Sequence, residues 1–332
     1  MKVLVTGAAG MIGRKFCQRI AKDGAIGGKP VTALHMVDVF AAGELPGAGF
    51  AVTSEAANIA DRNLAPRLMA ARPDLIVHLA AIVSGEAEVD FDKGYAVNLD
   101  GTRYIYDAIR AENILSGGEY KPRVVFSSSI AVFGAPFPEI IPDDFHLTPL
   151  TSYGAQKACG EFMLADFTRK GFFDGVGLRF PTICVRPGKP NAAASGFFSN
   201  IIREPLAGQK AVLPVSESVR HTHATPRAAV NFILHAATID GDKIGPRRNL
   251  SMPGVCVTVG EQIEALRKVA GATAVSLIER KPDEAIMKIV SGWPERFEAS
   301  RARALGFVAE TSFEDIIRAH IADELGGKVG GA

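Results

Sequence analysis

The 332 residues carry 37 basic and 36 acidic side chains, a formal net charge of +1, so no global field draws the chain to nucleic acid, a membrane surface or a polyanion. With 47% apolar residues there is ample material for a substantial core, in one large domain or two. The four cysteines, Cys17, Cys159, Cys184 and Cys256, lie far apart and lack metal-ligand spacing; they read as buried reduced thiols, with no metal site and a cytoplasmic setting. No apolar run approaches the roughly 20 residues of a membrane span, and the first is too short for a signal peptide.

The chain opens on Val3, Leu4 and Val5, a buried-strand run, followed at once by Thr6-Gly7-Ala8-Ala9-Gly10-Met11-Ile12-Gly13 and helical spacing to about Lys22. This strand, turn and helix fit a pyrophosphate. Gly7 permits a tight turn, Gly10 lets a phosphate approach bare backbone, Gly13 lets the helix pack on the strand, and the helix start offers N–H groups to the anion. Turn-formers fill 23–30, and a strand is predicted over 31–37. Asp38 ends it, placed to accept both ribose hydroxyls of an adenosine and to repel a 2′-phosphate; with no Arg or Lys directly after it, NAD is expected rather than NADP. A solvated strand-end carboxylate is the alternative. The glycine-rich loop before it accounts for a spacing from Gly13 longer than the usual, roughly 20 residues.

A short strand is expected over 50–53, and Asp61 is either a contact to the adenine half or a helix cap. Residues 74–81 read as a strand running into Leu79-Ala80-Ala81, small enough at its end to lie against a ligand, with His78 as a core histidine. A helix is expected over about 90–111, in which Asn98 either hydrogen-bonds near the next helix or holds backbone. Gly117-Gly118 ends that unit. The strand over 123–126 delivers Ser127-Ser128-Ser129 to its C-terminal end, where open parallel sheets bind ligands, though serines there also serve as turn residues. After Pro149 a helix opens at Ser152, with Tyr153 and Lys157 four apart on one face. The stretch over 187–215, rich in Gly, Pro and small residues, breaks the sheet rhythm and reads as a substrate-side cap. Arg186, Lys189, Arg220, His221 and His223 offer cations for a carboxylate, and Ala192, Ala193, Ala194 and Ser195 leave little bulk.

The glycine turn, Asp38, HLAA at 78–81, NLDGT at 98–102, FSSSIAVFG at 126–134, YGAQK at 153–157 and LRFPT at 178–182 follow the order and spacing of one family. Together they resemble the extended short-chain dehydrogenase/reductases. The pattern over 297–307 and the helix start at Ser312 carry the likeness across nearly the whole chain. The resemblance implies an α/β fold, a Rossmann-type doubly wound parallel sheet with a smaller C-terminal substrate-binding cap. On that pattern 1–180 is the NAD-binding domain with the catalytic Ser, Tyr and Lys, 181–325 is mainly cap with some segments returning to the core, and 326–332 is a flexible tail.

It further implies Tyr153 as the base, Lys157 beside it and on the nicotinamide ribose, and Ser129 orienting the reacting oxygen. NAD contacts would come from Gly7, Gly10, Met11, Ile12, Gly13, Asp38, Asp61, Leu79, Ala80, Ala81, Asn98, Ser127, Tyr153, Lys157 and Pro181. Substrate contacts would come from Ser129, Tyr153, Thr182, Arg186, Ser195, Arg220 and His221. A homodimer is implied, through the helices over 98–108 and 153–167. Where family members acting on nucleotide sugars show Arg-Asp-Tyr/Phe, this chain reads Arg220-His221-Thr222-His223 and departs after the Arg. The segments 132–157, 186–209 and 220–227 look most like members that oxidise small sugar acids, which implies NAD-dependent oxidation of the C2 hydroxyl of a four-carbon sugar acid. The alternatives are a nucleotide-sugar 4-epimerase with bound NAD and a uronate dehydrogenase.

A phenol titrates near pH 10 in water, so a Tyr base useful near neutrality needs about 3 to 4 kcal/mol of preferential stabilisation of its anion. Lys157, one helical turn away, and the cationic nicotinamide can supply that.

Overall fold

The computed structural model describes residues 1–188 and 194–329. The chain divides into two units, Met1–Val132 with Pro149–Phe180 and Val230–Leu250, and Phe133–Thr148 with Pro181–Ala229 and Ser251–Ala332.

The first unit is built on a seven-stranded sheet. Its strands are β1 (Lys2–Thr6), β2 (Ala33–Asp38), β3 (Ala51–Ala56), β4 (Leu75–His78), β5 (Arg123–Ser129), β6 (Asp174–Phe180) and β7 (Asn249–Ser251), in the spatial order β7-β6-β5-β4-β1-β2-β3. The first six pair in parallel. Parallel pairing requires crossovers that cover both faces, which is why β4 is buried at all four residues and reads as an unbroken apolar run up to His78. The order reverses between β2 and β4 on either side of β1, the place where doubly wound sheets bind ligands.

Helices α1 (Met11–Asp23), α2 (Leu64–Met69), α3 (Gly101–Leu115) and α4 (Ser152–Arg169) belong to this unit. Leu4, Val37, Ile76, Tyr106, Ile109, Phe126 and Leu164 form part of its core. The predicted turn over 23–30 holds Gly24 in the left-handed region as the C-cap of α1, then a two-residue hairpin pairing Ala25–Ile26 with Lys29–Pro30. Gly27 and Gly28 turn it at φ 55° and 76°. The helix predicted over 90–111 is present in three pieces. A short turn at Phe91–Gly94 and a π-helical stretch at Tyr95–Asp100 lead into α3. Gly117 and Gly118, both at positive φ, follow its end.

The second unit has its own core, including Phe197, Phe198, Ile201, Leu213, Ile263, Leu266, Phe313 and Ile317. Strands Thr182–Ile183, Arg220–Ala224 and Val255–Thr258 form a three-stranded sheet with the middle one at its centre. The predicted helix start at Ser312 is the N-cap of Phe313–Glu324, its hydroxyl accepting the Asp315 N–H. Val329, in the predicted tail, packs against this core. Among the described residues no helix is long and apolar enough to cross a membrane.

Candidate active site

The glycine turn follows β1 directly. Gly7 has φ 77°, and a Cβ there would lie 2.6 Å from the Ala80 nitrogen, so the end of β4 passes over bare backbone. A Cβ on Gly13 would collide with the Gly7 carbonyl, whereas one on Gly10 would meet only that same oxygen, at 3.3 Å. Gly10 is the N-cap of α1 and no side chain caps the helix start. An open glycine at an uncapped helix start fits the phosphates of a dinucleotide, whose charge the first-turn N–H groups and helix dipole favour. Met11 and Ile12, half-buried, begin that helix. Asp38 ends β2, one carboxylate oxygen accepting the Ala9 N–H at 2.9 Å, so the loop is tied to the residue expected at the ribose. Asp61 accepts from the Asn63 N–H at 2.9 Å and from its side-chain amide at 3.2 Å, in the turn that leads into α2.

Asn98 is buried on the π-helical stretch. Its side-chain oxygen accepts the Ile82 N–H at 2.9 Å, and its amide donates to the Ile82 carbonyl at 3.2 Å and to Gln156 Oε1 at 2.8 Å. It thereby ties the loop after β4 to α4. His78 is held between Thr6 Oγ1 at 2.7 Å and Thr102 Oγ1 at 3.0 Å, and burial pushes its imidazole down to about 3 with Lys157 adding to the effect. It is a satisfied core histidine.

Three consecutive serines end β5, and pleating sends the side chains of Ser127 and Ser129 to one face and that of Ser128 to the other. Ser129 Oγ accepts the Ala131 N–H at 3.2 Å as the chain turns. The start of α4 is set by Thr151, whose hydroxyl oxygen accepts the Gly154 N–H. Gly154 has no Cβ because the Ala131 carbonyl occupies that space, so the helix start sits directly on the turn after Ser129.

Tyr153 is in the first turn of that helix, and Lys157 lies one turn on, 2% exposed, its Nζ 5.6 Å from the Tyr153 ring centroid and 5.0 Å from that of Phe126. The ammonium donates to the Ser127 carbonyl at 2.8 Å. Burial pushes Lys157 down to about 7, opposed by the Glu161 carboxylate. The set can take a proton from a hydroxyl and steady the charge this leaves.

Unnoticed in the sequence is what stands behind Lys157. Glu161, fully buried, accepts from Ser128 Oγ at 2.5 Å and is gripped by Arg179 of β6, Nε at 2.9 and 3.1 Å and an outer nitrogen at 2.7 Å. The available signal was its position on the same helical face, one turn past Lys157 and two past Tyr153.

In the second unit, Thr182, which follows Pro181, places Oγ1 2.7 Å from His221 Nε2. His221 is buried and also bonds the Pro294 backbone; burial lowers it to about 4. His223 is buried against Gln262, its ring nitrogen 2.8 Å from the amide. Neither ring is a surface cation, which removes both from the five expected to face a carboxylate with positive charge. Arg186 donates to the Ile183 carbonyl at 3.1 Å and to Ser195 Oγ at 2.9 Å. Arg220 lies 3.7 Å from Glu261, and with Arg296, Arg303, Glu298 and Glu310 lines a cavity of about 670 Å3. Ala194 and Ser195 precede the helix Gly196–Leu206, while Lys189, Ala192 and Ala193 lie outside the described residues.

A doubly wound sheet whose order reverses beside an open glycine turn, with Ser, Tyr and Lys gathered on β5 and α4, defines an NAD-dependent oxidoreductase of the extended short-chain type. Residues 3–241 match the NAD dependent epimerase/dehydratase family, and the chain belongs to it. It is 41% identical over 327 residues to a D-erythronate dehydrogenase of Cupriavidus necator, covering 97% of this chain and 98% of the relative. A D-erythronate dehydrogenase of Haemophilus influenzae is 37% identical over 97% of this chain and 99% of its own. The crystal structure of a nucleoside-diphosphate-sugar epimerase from Agrobacterium tumefaciens superposes with a TM-score of 0.97 at 65% identity, covering 99% of this chain and 95% of that one.

Proposed function

We propose that the protein is a D-erythronate dehydrogenase, oxidising the C2 hydroxyl of D-erythronate to 2-dehydro-D-erythronate with NAD. The observation that carries this reading is the likeness, at 41% and 37% identity over 97% of the chain, to two relatives bearing that name. NAD supplies the hydride acceptor. Tyr153 takes the proton of the C2 hydroxyl, Lys157 stabilises the phenolate that does so, and Ser129 orients the reacting oxygen. The first unit holds the cofactor: Gly7, Gly10, Met11, Ile12 and Gly13 at the pyrophosphate, Asp38 at the ribose, Asp61 at the adenine half, and Leu79, Ala80, Ala81 and Ser127 through backbone. Asn98 acts here by fixing the Ile82 backbone.

The second unit contributes Thr182, Arg186, Ser195 and Arg220 to the substrate, with Pro181 at the cofactor; His221, buried with its ring held by Thr182 and the Pro294 backbone, positions Thr182 and does not itself reach the substrate. Arg220 is the favoured partner of the carboxylate, because a guanidinium binds it through two parallel bonds and Arg186 already spends donors on Ile183 and Ser195. Arg220→Met should raise KM for D-erythronate about 30- to 150-fold, the equivalent of roughly 2 to 3 kcal/mol, with little effect on NAD affinity. An unchanged KM would remove Arg220 from the substrate.

A second reading, nucleotide-sugar 4-epimerisation with bound NAD, is favoured by the likeness to the Agrobacterium nucleoside-diphosphate-sugar epimerase. Assaying NADH formation and sugar epimerisation across aldonates, uronates and nucleotide sugars separates the readings. Net NADH with D-erythronate above all others is expected. Epimerisation of a nucleotide sugar without net NADH overturns the dehydrogenase, and a uronate as best substrate overturns the chain length.

We also propose a homodimer through α3 and α4. Ile105 and Ala108 are spent in the subunit's own core, which leaves the exposed Phe162 and Cys159 with half-buried Tyr104 and Met163. A monomer mass by light scattering at micromolar concentration refutes it. The four free cysteines support a cytoplasmic setting, which locating the tagged protein by cell fractionation tests.

A further inference from the structure

We propose that Glu161 is a positioning residue that keeps the Lys157 ammonium charged and the serine end of β5 in register, an inference that rests on the Tyr153 and Lys157 roles given above. Glu161 is fully buried, as Arg179 very nearly is, and burying an ion pair is a poor way to stabilise a fold, since apolar side chains of equal volume commonly do as well. Apart from Lys157 itself and Gln156, which is bonded to Asn98, the other buried residues of α4 are apolar or glycine, with Ala158 and Leu164 in the core. The pair makes sense by what it touches.

Through Ser128 the carboxylate fixes the middle of the three serines, and so holds in place Ser127, whose carbonyl accepts from Lys157, and Ser129, the next residue of the strand. Through space it opposes the desolvation of Lys157. The groups around Lys157 leave Glu161 that task. On α4 are Tyr153 and Glu161. On β4 is His78, neutral because burial holds it near 3, and on β6 is Arg179, a cation. Tyr106 of α3, beside Glu161, is held neutral by burial. Glu88, on the short helix Ser84–Val89, is spent on the exposed Ser152 N–H, and Glu86 pairs with Lys93 at the surface. Among the described residues of these elements, Glu161 is the buried carboxylate acting on the ammonium. Without it, Lys157 keeps its burial and loses its counter-charge, and an uncharged amine cannot stabilise a phenolate.

The test is the titration of Lys157 itself, followed by NMR of the NAD-free protein carrying lysine labelled at Cε, with the resonance assigned by its loss in Lys157→Arg. The wild type should titrate near neutrality, and Glu161→Gln at least one pH unit lower. In turnover, the alkaline limb of the kcat profile should move down by a similar amount, and Glu161→Asp should restore it. Should Glu161→Gln fail to fold for want of its ion pair with Arg179, the double variant Glu161→Gln with Arg179→Gln replaces that pair by neutral amides and should still shift Lys157 downward, by less because a more distant cation is lost with the carboxylate. An unchanged Lys157 midpoint in either variant overturns the proposal. The titration needs no substrate, so it stands apart from whether D-erythronate or a nucleotide sugar is turned over.

Discussion

Tyr153 occupies a position where one hydroxyl can be removed with little else disturbed. Its helix start is fixed by Thr151 and Gly154, not by the phenol, so Tyr153→Phe should keep the fold and NAD affinity while kcat falls about 100- to 10,000-fold. Near wild-type turnover in the purified variant would exclude it as the base. Asp38 offers a similar separation. An asparagine there can still accept the Ala9 N–H through its side-chain oxygen, so Asp38→Asn should preserve the loop and remove only the charge that repels a 2′-phosphate. The ratio of kcat/KM for NADP to that for NAD should rise at least about tenfold, since even 1.4 kcal/mol of lost repulsion accomplishes that; equal ratios in variant and wild type would take Asp38 away from the ribose. Tyr153 and Lys157 were legible because an i, i+4 pair is local to one helix. The Glu161 to Arg179 pair was not, because it joins α4 to β6, and no spacing along the chain announces which arginine will arrive there.

Among the elements, the strand, turn and helix at the start were readable because three glycines at fixed spacing each answer a separate steric demand. Other features carry no such signature. The hairpin at 25–30 has two-residue strands, too short to show a period, yet it fills the extra length between α1 and β2. The π-helical stretch at Tyr95–Asp100 has ordinary helical composition and reads in the sequence as part of one continuous helix. The edge strand β3 runs past its predicted end because none of its residues is buried, and burial could not mark its limit. Gly154 shows how an element places a functional side chain. Gly154→Ala must push the start of α4 away from the Ala131 carbonyl, at a cost of about 1 to 3 kcal/mol in stability. Because Tyr153 is the preceding residue, kcat should fall as well. Gly118→Ala is the control: its φ of 89° makes a side chain strained by about 1 kcal/mol, yet it stands in open space after α3, so it should lower Tm without touching kcat. Equal kcat in the two variants would dissociate the close approach from the chemistry.

For the whole molecule, what the sequence hid is that His221 and His223 in the second unit are structural, as it showed His78 in the first to be. His78 in the first unit and His221 and His223 in the second are buried and neutral, with His78 pushed to about 3, His221 to about 4, and His223 well below its ordinary value. In each case desolvation is the leading cause, so the folded chain refuses a proton that the unfolded chain accepts near pH 6.5. Stability from this source is complete above that pH and drains away as pH falls toward the folded values, by about 1.4 kcal/mol per pH unit for each histidine. Lys157 acts with the same sign at higher pH. Its folded value near 7 lies below the roughly 10.4 of an unfolded lysine, so over that range the unfolded chain binds the extra proton and stability rises as pH rises. The protein should therefore be most resistant to urea on the alkaline side of neutrality and weaken steeply below pH 6. His78→Gln should make that acid loss shallower, because the amide cannot take up a proton in either state. Unfolding curves recorded at pH 8.5, 7, 5.5 and 4.5, values chosen to bracket the roughly 6.5 of an unfolded histidine, decide the matter: an unfolding free energy as large at pH 5.5 as at pH 8.5 would mean that these rings are charged, or solvated, in the folded protein.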